Sequence, residues 1–398
     1  MPQVFDSQMS PEGAQRILFG EGAVSRAGAF ASRAGSRALL VSDQGVRAAG
    51  HTNVCAESLR AAGLEALLYD EVPENPRRED ARALGRAARA FAPQVVVAIG
   101  GGSAIDCAKG AILELTQPAG LDERHGHVEL GSPTLPMIAI PTTAGTGTEC
   151  QSATLLSDSQ TGTKRALLAP GLLPQVALLD PLLTRSLPAD VALAGGLDAI
   201  AHGIETAVTS AQTRRSAGFA LAALKLLIPN VEDALDRPER AQARGAMLLG
   251  AAVSGMAIEQ SMLGAAHACA NPITADAGVP HGLAVGMMLP EVVEHNGASP
   301  DCRHTFATIA RACSLAPPSA DESEAMAALL TFLRGLAGRA VRALTSTQRA
   351  LLERTDLGRM ADAATEQWTG GFNPRAMSSE DYKGLYTSAL SPVHGGAS

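Results

Sequence analysis

Gln94-Val-Val-Val-Ala-Ile-Gly-Gly-Gly-Ser-Ala-Ile-Asp-Cys-Ala-Lys109 is the stretch whose reading decides the fold. Its first six residues form a short β-branched run suited to a strand buried on both faces. Three glycines follow at once, and Ser103 to Lys109 then opens a helix. A buried strand that enters a helix through glycines aims backbone N–H groups and the helix dipole at a phosphate. A Cβ at those positions would hold a phosphate off the backbone. The spacing is not GxGxxG, so a bare strand-to-helix turn is an equal reading of this stretch taken alone.

Neighbouring segments repeat the pattern. Ser36–Asp43 reads as a strand, Val46–Ala62 as a helix and Leu64–Tyr69 as a strand. Glu79–Phe91 follows as a helix, and Leu135–Ile140 is another strand. Such alternation implies parallel pairing through helical crossovers, an open Rossmann-like α/β sheet. After about Ser186 the strand-like runs stop. Ala189–Thr209, Ser216–Leu235, Arg240–Ser261 and Leu283–His295 carry apolar residues at i, i+3, i+4 and i+7, the mark of packed helices. A chain of 398 residues exceeds the usual size of one core. The expected division is an α/β domain over 1–186 and an all-α domain over 187–398, with Ala316–Ser323 as an exposed loop.

Composition narrows the function. The net charge of −8 without a basic stripe argues against nucleic acid as a partner. Six cysteines with no CxxC pair suggest reduced intracellular thiols, not a disulfide framework or a zinc–thiolate site. Met1–Ser10 has neither the basic nor the apolar region of a secretory signal. No apolar run approaches the ~20 residues of a membrane span. The expectation is a cytoplasmic protein with no membrane partner.

Two features support a nucleotide at the glycine turn. Asp43 ends the strand Ser36–Asp43, where a carboxylate can accept from a ribose 2′-OH and would repel a 2′-phosphate, favouring NAD over NADP. A helix N-cap is the other reading of that residue. Pro141-Thr-Thr-Ala-Gly-Thr-Gly-Thr-Glu149 also follows a strand, and its hydroxyls suit phosphate and ribose.

A second constellation lies in the helical half. Asp198 and His202 stand four apart within Gly195–Glu205, so both side chains share one helix face among apolar neighbours. A buried aspartate needs a compensating cation. His267, within a helix of small residues, and His281, opening the helix Gly282–Leu289, are plausible partners. Either histidine alone reads as an ordinary core residue. Three imidazoles and a carboxylate suit Fe²⁺ or Zn²⁺.

The stretches GGGSAIDCAK, PTTAGTGTE, ALLDPLLTRSLP, GGLDAIAHGIE and GAAHACANPITADAGVPHGLAVGMMLPEVVEHN together resemble the iron-containing (group III) alcohol dehydrogenases over nearly the whole chain. The resemblance implies a dehydroquinate synthase-like fold with a dinucleotide-binding domain, a helical domain and a cleft holding the metal and the nicotinamide. It carries over Asp198, His202, His267 and His281 as metal ligands. It also carries over Asp43, Asn75, Gly101, Gly102, Ser103, Asp106, Thr142, Thr143, Thr146 and Lys164 as cofactor contacts. One departure stands out: family members commonly have a second histidine near the nicotinamide where this chain has Asn271, and asparagine does not titrate. His267 and Asn271 are the expected catalytic residues. Glu291 also replaces a frequent histidine, and neither it nor His295 is given a role.

The implied activity is reversible hydride transfer between NAD and a small alcohol or aldehyde, in a homodimer. Three other readings are open. A maleylacetate reductase works without metal, and the retained ligands count against it. A hydroxyacid–oxoacid transhydrogenase would hold its nucleotide tightly. A metal-stabilised dimer without catalysis is the third. The outer substrate site is expected to draw on the Gln367–Arg375 loop, which holds the only tryptophan.

Overall fold

Val95–Gly100 is buried along its whole length because it has a strand on either side and helices over both faces. The computed structural model describes residues 3–10, 13–122, 125–158 and 164–394. Ten strands occur among them: β1 Gln3–Ser10, β2 Gly13–Phe19, β3 Arg37–Val41, β4 Glu65–Tyr69, β5 Val95–Gly100, β6 Gly126–His127, β7 Met137–Pro141, β8 Ala153–Ser157, β9 Lys164–Leu168 and β10 Val176–Leu179. Seven form one sheet in the order β1-β2-β10-β7-β5-β3-β4, parallel except for the β1/β2 pair. The open parallel α/β sheet expected from the sequence is present.

Side chains leave a strand alternately to its two faces, so one β-branched run feeds two cores. Val95, Val97 and Ile99 join Ala38, Leu40, Ile138 and Ile140 on one face. Val96 and Ala98 join Leu39, Val41, Met137 and Ala139 on the other. The β1/β2 hairpin and the β6-β9-β8 sheet have no counterpart in the sequence reading. Gln3–Ser10 mixes polar and apolar residues, as a strand at the sheet edge can, and so lacks the continuous apolar run that marks β5. The Val46–Ala62 helix is broken into Gln44–Ala48 and His51–Ala61 at Gly50, whose φ is 83°. Ser216–Leu235 likewise divides into Arg214–Leu227 and Val231–Asp236, with Pro229 and Asn230 between them.

The chain forms two compact units, Met1–Leu187 with Pro238–Gly255, and Pro188–Arg237 with Met256–Ser398. The return of Pro238–Gly255 to the α/β unit departs from the contiguous division at 186/187. Small residues explain it: a Cβ on Gly245 would touch Phe19 and Pro181, and one on Gly255 would lie 2.2 Å from the Gly147 carbonyl oxygen. In the second unit, close packing sets the register of two helices. A Cβ on Gly282 would lie 2.0 Å from the Ala194 oxygen, and one on Gly286 would strike Leu197. The helix Ala189–Thr206 is thereby held against His281–Asn296. Among the described residues no helix is long and apolar enough to cross a membrane.

Candidate dinucleotide site and metal centre

The helix Gly102–Thr116 begins at Gly101 without a side-chain cap, leaving its first N–H groups available to a ligand. The hydroxyl loop packs directly over this start. A Cβ on Gly102 would lie 2.7 Å from Thr146 Cγ2, and one on Gly101 would lie 3.3 Å from Thr143 Cγ2. The loop can pack this closely because Gly102 lacks a side chain, with little room for one at Gly101 either, and the bare backbone there suits a pyrophosphate.

Asn75, Ser103, Lys164 and Asp43 lie close by. Asn75 adopts a left-handed φ of 50°, and its N–H donates to Ser103 Oγ over 3.1 Å. Ser157 pairs with Lys164 across β8 and β9, and the Ser157 N–H donates to the Pro76 carbonyl. Lys164 thus stands beside the Asn75 turn, while Thr161–Thr163 just before it lie outside the described residues. Asp43 caps the Gln44–Ala48 helix, Oδ1 accepting from the Val46 N–H at 2.9 Å. Its second oxygen faces Gly100, where an added Cβ would lie 3.2 Å away. Capping and ligand contact are therefore compatible.

Asp106 is differently placed. Its buried carboxylate accepts from Thr148 Oγ1 at 2.6 Å and lies 4.0 Å from Lys109 Nζ. Burial pushes this carboxyl up, against the pull of Lys109 and the Thr148 hydrogen bond. Lys109, to which the sequence reading gave no role, is fully buried. Its Nζ donates to the carbonyls of Thr148, Gln151 and Ala153 and to Thr148 Oγ1, over 2.7–2.9 Å. The pair stitches the helix to the end of the hydroxyl loop. An Asp and a Lys three apart in the otherwise apolar run 104–113 is the signal that would have found it.

In the second unit one oxygen is the hub. Nε2 of His202 and Nε2 of His267 each stand 3.4 Å from Asp198 Oδ1, and Nε2 of His281 stands 4.0 Å away. Asp198, His267 and His281 present ligand atoms all within 4.8 Å of one another. The His202 ring stacks on His267 at 4.9 Å between centroids. Donors around a tetrahedral ion with bonds of about 2.1 Å stand about 3.4 Å apart. Asp198 Oδ1 and His267 Nε2 are buried without a hydrogen-bond partner, as atoms meant for an ion would be. The donor set and its spacing fit a divalent cation.

The electrostatics agree. Burial alone would raise the Asp198 carboxyl, but the three histidines outweigh it and hold it well below the usual carboxylate range. Burial likewise opposes charge on His267, yet Glu205 and Asp198 lift it to about 9. His267 Nδ1 lies 2.5 Å from Glu205 Oε2. Asn271, one turn further on, donates from Nδ2 to Gln367 Oε1 at 2.8 Å, and Gln367 in turn donates to the Ala363 carbonyl. Of the loop expected near the substrate, Trp368 is exposed and Arg375 donates to the His295 carbonyl.

Comparison with known proteins covers both units. Residues 14–181 match the iron-containing alcohol dehydrogenase family, and residues 192–390 match the C-terminal part of the Fe-containing alcohol dehydrogenase family. The chain is 33% identical over 374 residues to the probable alcohol dehydrogenase EutG of Escherichia coli, covering 94% of this chain and 92% of that one. It is similar to a solved 1,3-propanediol oxidoreductase, with TM-score 0.88 and 28% identity over 98% of this chain and 100% of the other. The fold is also that of a sulfoacetaldehyde reductase from Bifidobacterium kashiwanohense solved in complex with NAD⁺, with TM-score 0.80 and 24% identity over 94% and 96% of the two chains.

Proposed function

The chain belongs to the iron-containing alcohol dehydrogenase family, and from that premise we propose a division of labour: residues 1–186 hold NAD, and residues 187–398 hold one Fe²⁺ or Zn²⁺ through Asp198, His202, His267 and His281. The protein is an oxidoreductase interconverting alcohols and aldehydes, of the kind its relatives' names describe. The observation that carries the metal reading is the convergence of three imidazole Nε2 atoms on the single buried oxygen of Asp198.

Alcohol oxidation removes a hydride from the carbinol carbon and a proton from its oxygen, and the residues divide these tasks. The glycines and the uncapped helix start hold the pyrophosphate, while Thr142, Thr143 and Thr146 offer hydroxyls to phosphate and ribose. Asn75, Ser103 and Lys164 flank that cradle, and Asp43 faces the ribose. A carboxylate at Asp43 disfavours a 2′-phosphate, which supports NAD over NADP. Asp106 acts as a support of the hydroxyl loop through Thr148. Held by Asp198, His202, His267 and His281, a divalent ion would supply Lewis acidity toward the substrate oxygen. His267 and Asp198 set the charge of that pocket, and Asn271 orients substrate or water without itself taking a proton.

The six cysteines are all free and buried, in keeping with a reducing cytoplasmic setting. The homodimer that the family resemblance implies is tested by sedimentation. For the central reading, Asp198→Ala removes the hub oxygen. Metal content and alcohol-oxidising activity are expected to fall together, by about 10²-fold or more in activity. Full turnover by a metal-stripped preparation would refute the assignment.

A further inference from the structure

The helix that supplies Asp198 and His202 continues on the same face to Glu205, three residues past His202 and seven past Asp198. Glu205 is buried, and both of its oxygens are engaged. Oε1 accepts from the Ala266 N–H at 2.6 Å, and Oε2 lies 2.5 Å from His267 Nδ1. The carboxylate thus spans the first turn of the helix Ala265–Ala277, whose own N-cap, Gly264, offers no side chain. A Cβ on Gly264 would come within 3.0 Å of Glu205 Oε1, so glycine there makes the seat. A helix N-terminus favours negative charge and leaves N–H donors unmet; Glu205 answers both needs from another helix.

We propose that Glu205 is the positioning residue of the metal centre: it keeps a proton on His267 Nδ1, so that Nε2 is the nitrogen left for an ion beside Asp198. This rests on the metal reading given above, and it adds a residue outside the four ligands. The logic is one of donors and acceptors. The Ala266 N–H can only donate and a carboxylate can only accept, so Oε1 is committed to the backbone and Oε2 is left to accept from Nδ1. The tautomer then follows, and the ring is held at the angle that directs Nε2 toward Asp198.

The same logic makes an isosteric substitution informative. In Glu205→Gln the amide oxygen must turn to the Ala266 N–H, which cannot change role. The amide nitrogen then faces His267 Nδ1 and donates to it. The imidazole proton moves to Nε2, the atom needed by the ion. Glu205→Asp keeps acceptor-only chemistry but loses a methylene of reach. A merely space-filling role would make Asp the more damaging change; a tautomer-fixing role makes Gln the more damaging.

The experiment is Zn²⁺ affinity by chelator competition on metal-stripped full-length wild type, Glu205→Gln and Glu205→Asp, without substrate or dinucleotide. Thermal melts of the metal-free forms show which variants are folded. Wild type is expected to bind tightest and Gln weakest, about 10–100-fold below wild type, with Asp between them. A Gln variant within threefold of wild type, or an Asp variant weaker than Gln, overturns the proposal. Should the Gln variant not fold, the imidazole ¹⁵N signals of zinc-loaded wild type decide: a proton on His267 Nδ1 supports the role, and a proton on Nε2 overturns it. Wild type that fails to bind zinc would sink the metal centre itself, and this inference with it.

Discussion

Single residues in this protein do their work by what they lack as much as by what they carry. Gly102 opens the helix under the hydroxyl loop, and its missing side chain is what lets Thr146 pack against the helix start. Alanine is the better helix former, worth up to about 1 kcal/mol over glycine, so Gly102→Ala should leave the fold standing. Its Cβ would lie 2.7 Å from Thr146 Cγ2 and crowd the cradle. NADH affinity, followed by fluorescence titration, is expected to drop about tenfold or more. Undiminished NADH binding would place the nucleotide elsewhere. Asn271 shows the opposite case, a side chain with polar contacts but no titratable proton, anchored through Gln367. The sequence alone reveals that substitution; the anchor needed the structure.

Elements carry the next level. The strand β5 and the helix after it were legible because a β-branched run, three glycines and a helix start lie together in one short stretch. The staple joining that helix to the hydroxyl loop was not legible, because Lys109 finds its acceptors some 40 residues away, at Thr148, Gln151 and Ala153. Removing the charge while keeping the chain length tests how much the loop depends on it. Lys109→Met would leave three buried carbonyls without their shared donor and Asp106 without its cation. A stability loss of about 3–5 kcal/mol is expected in denaturant titration, with the α/β unit affected first. A loss under about 1 kcal/mol would mean water replaces the ammonium at little cost.

At the scale of the whole molecule, the proposed metal centre couples ion binding to stability. An ion held as proposed by residues of three helices, at 198–202, 267 and 281, needs those helices packed together. Ligand present at 100 times its dissociation constant adds about 2.7 kcal/mol to the folded state. For a unit of this size that corresponds to roughly 5–10 °C in melting midpoint. Zinc added to stripped wild type should produce such a shift in a calorimetric scan, and Asp198→Ala should abolish it. A wild-type midpoint indifferent to zinc would speak against a site assembled by folding.

The sequence by itself determined the local geometry: the buried runs of the sheet, the glycine turn, and the one-turn spacing that puts Asp198 and His202 on one helix face. Each is a short-range property, read from period and propensity within one segment. The tertiary structure decided what meets what. It brought His267 and His281 to the Asp198 oxygen across 69 and 83 residues of chain, returned Pro238–Gly255 to the α/β unit, and set Glu205 behind His267. Those meetings depend on glycines that let two backbones approach, as Gly282 does at Ala194. Such approach depends on the shapes of both partners, and a linear pattern records only one of them at a time.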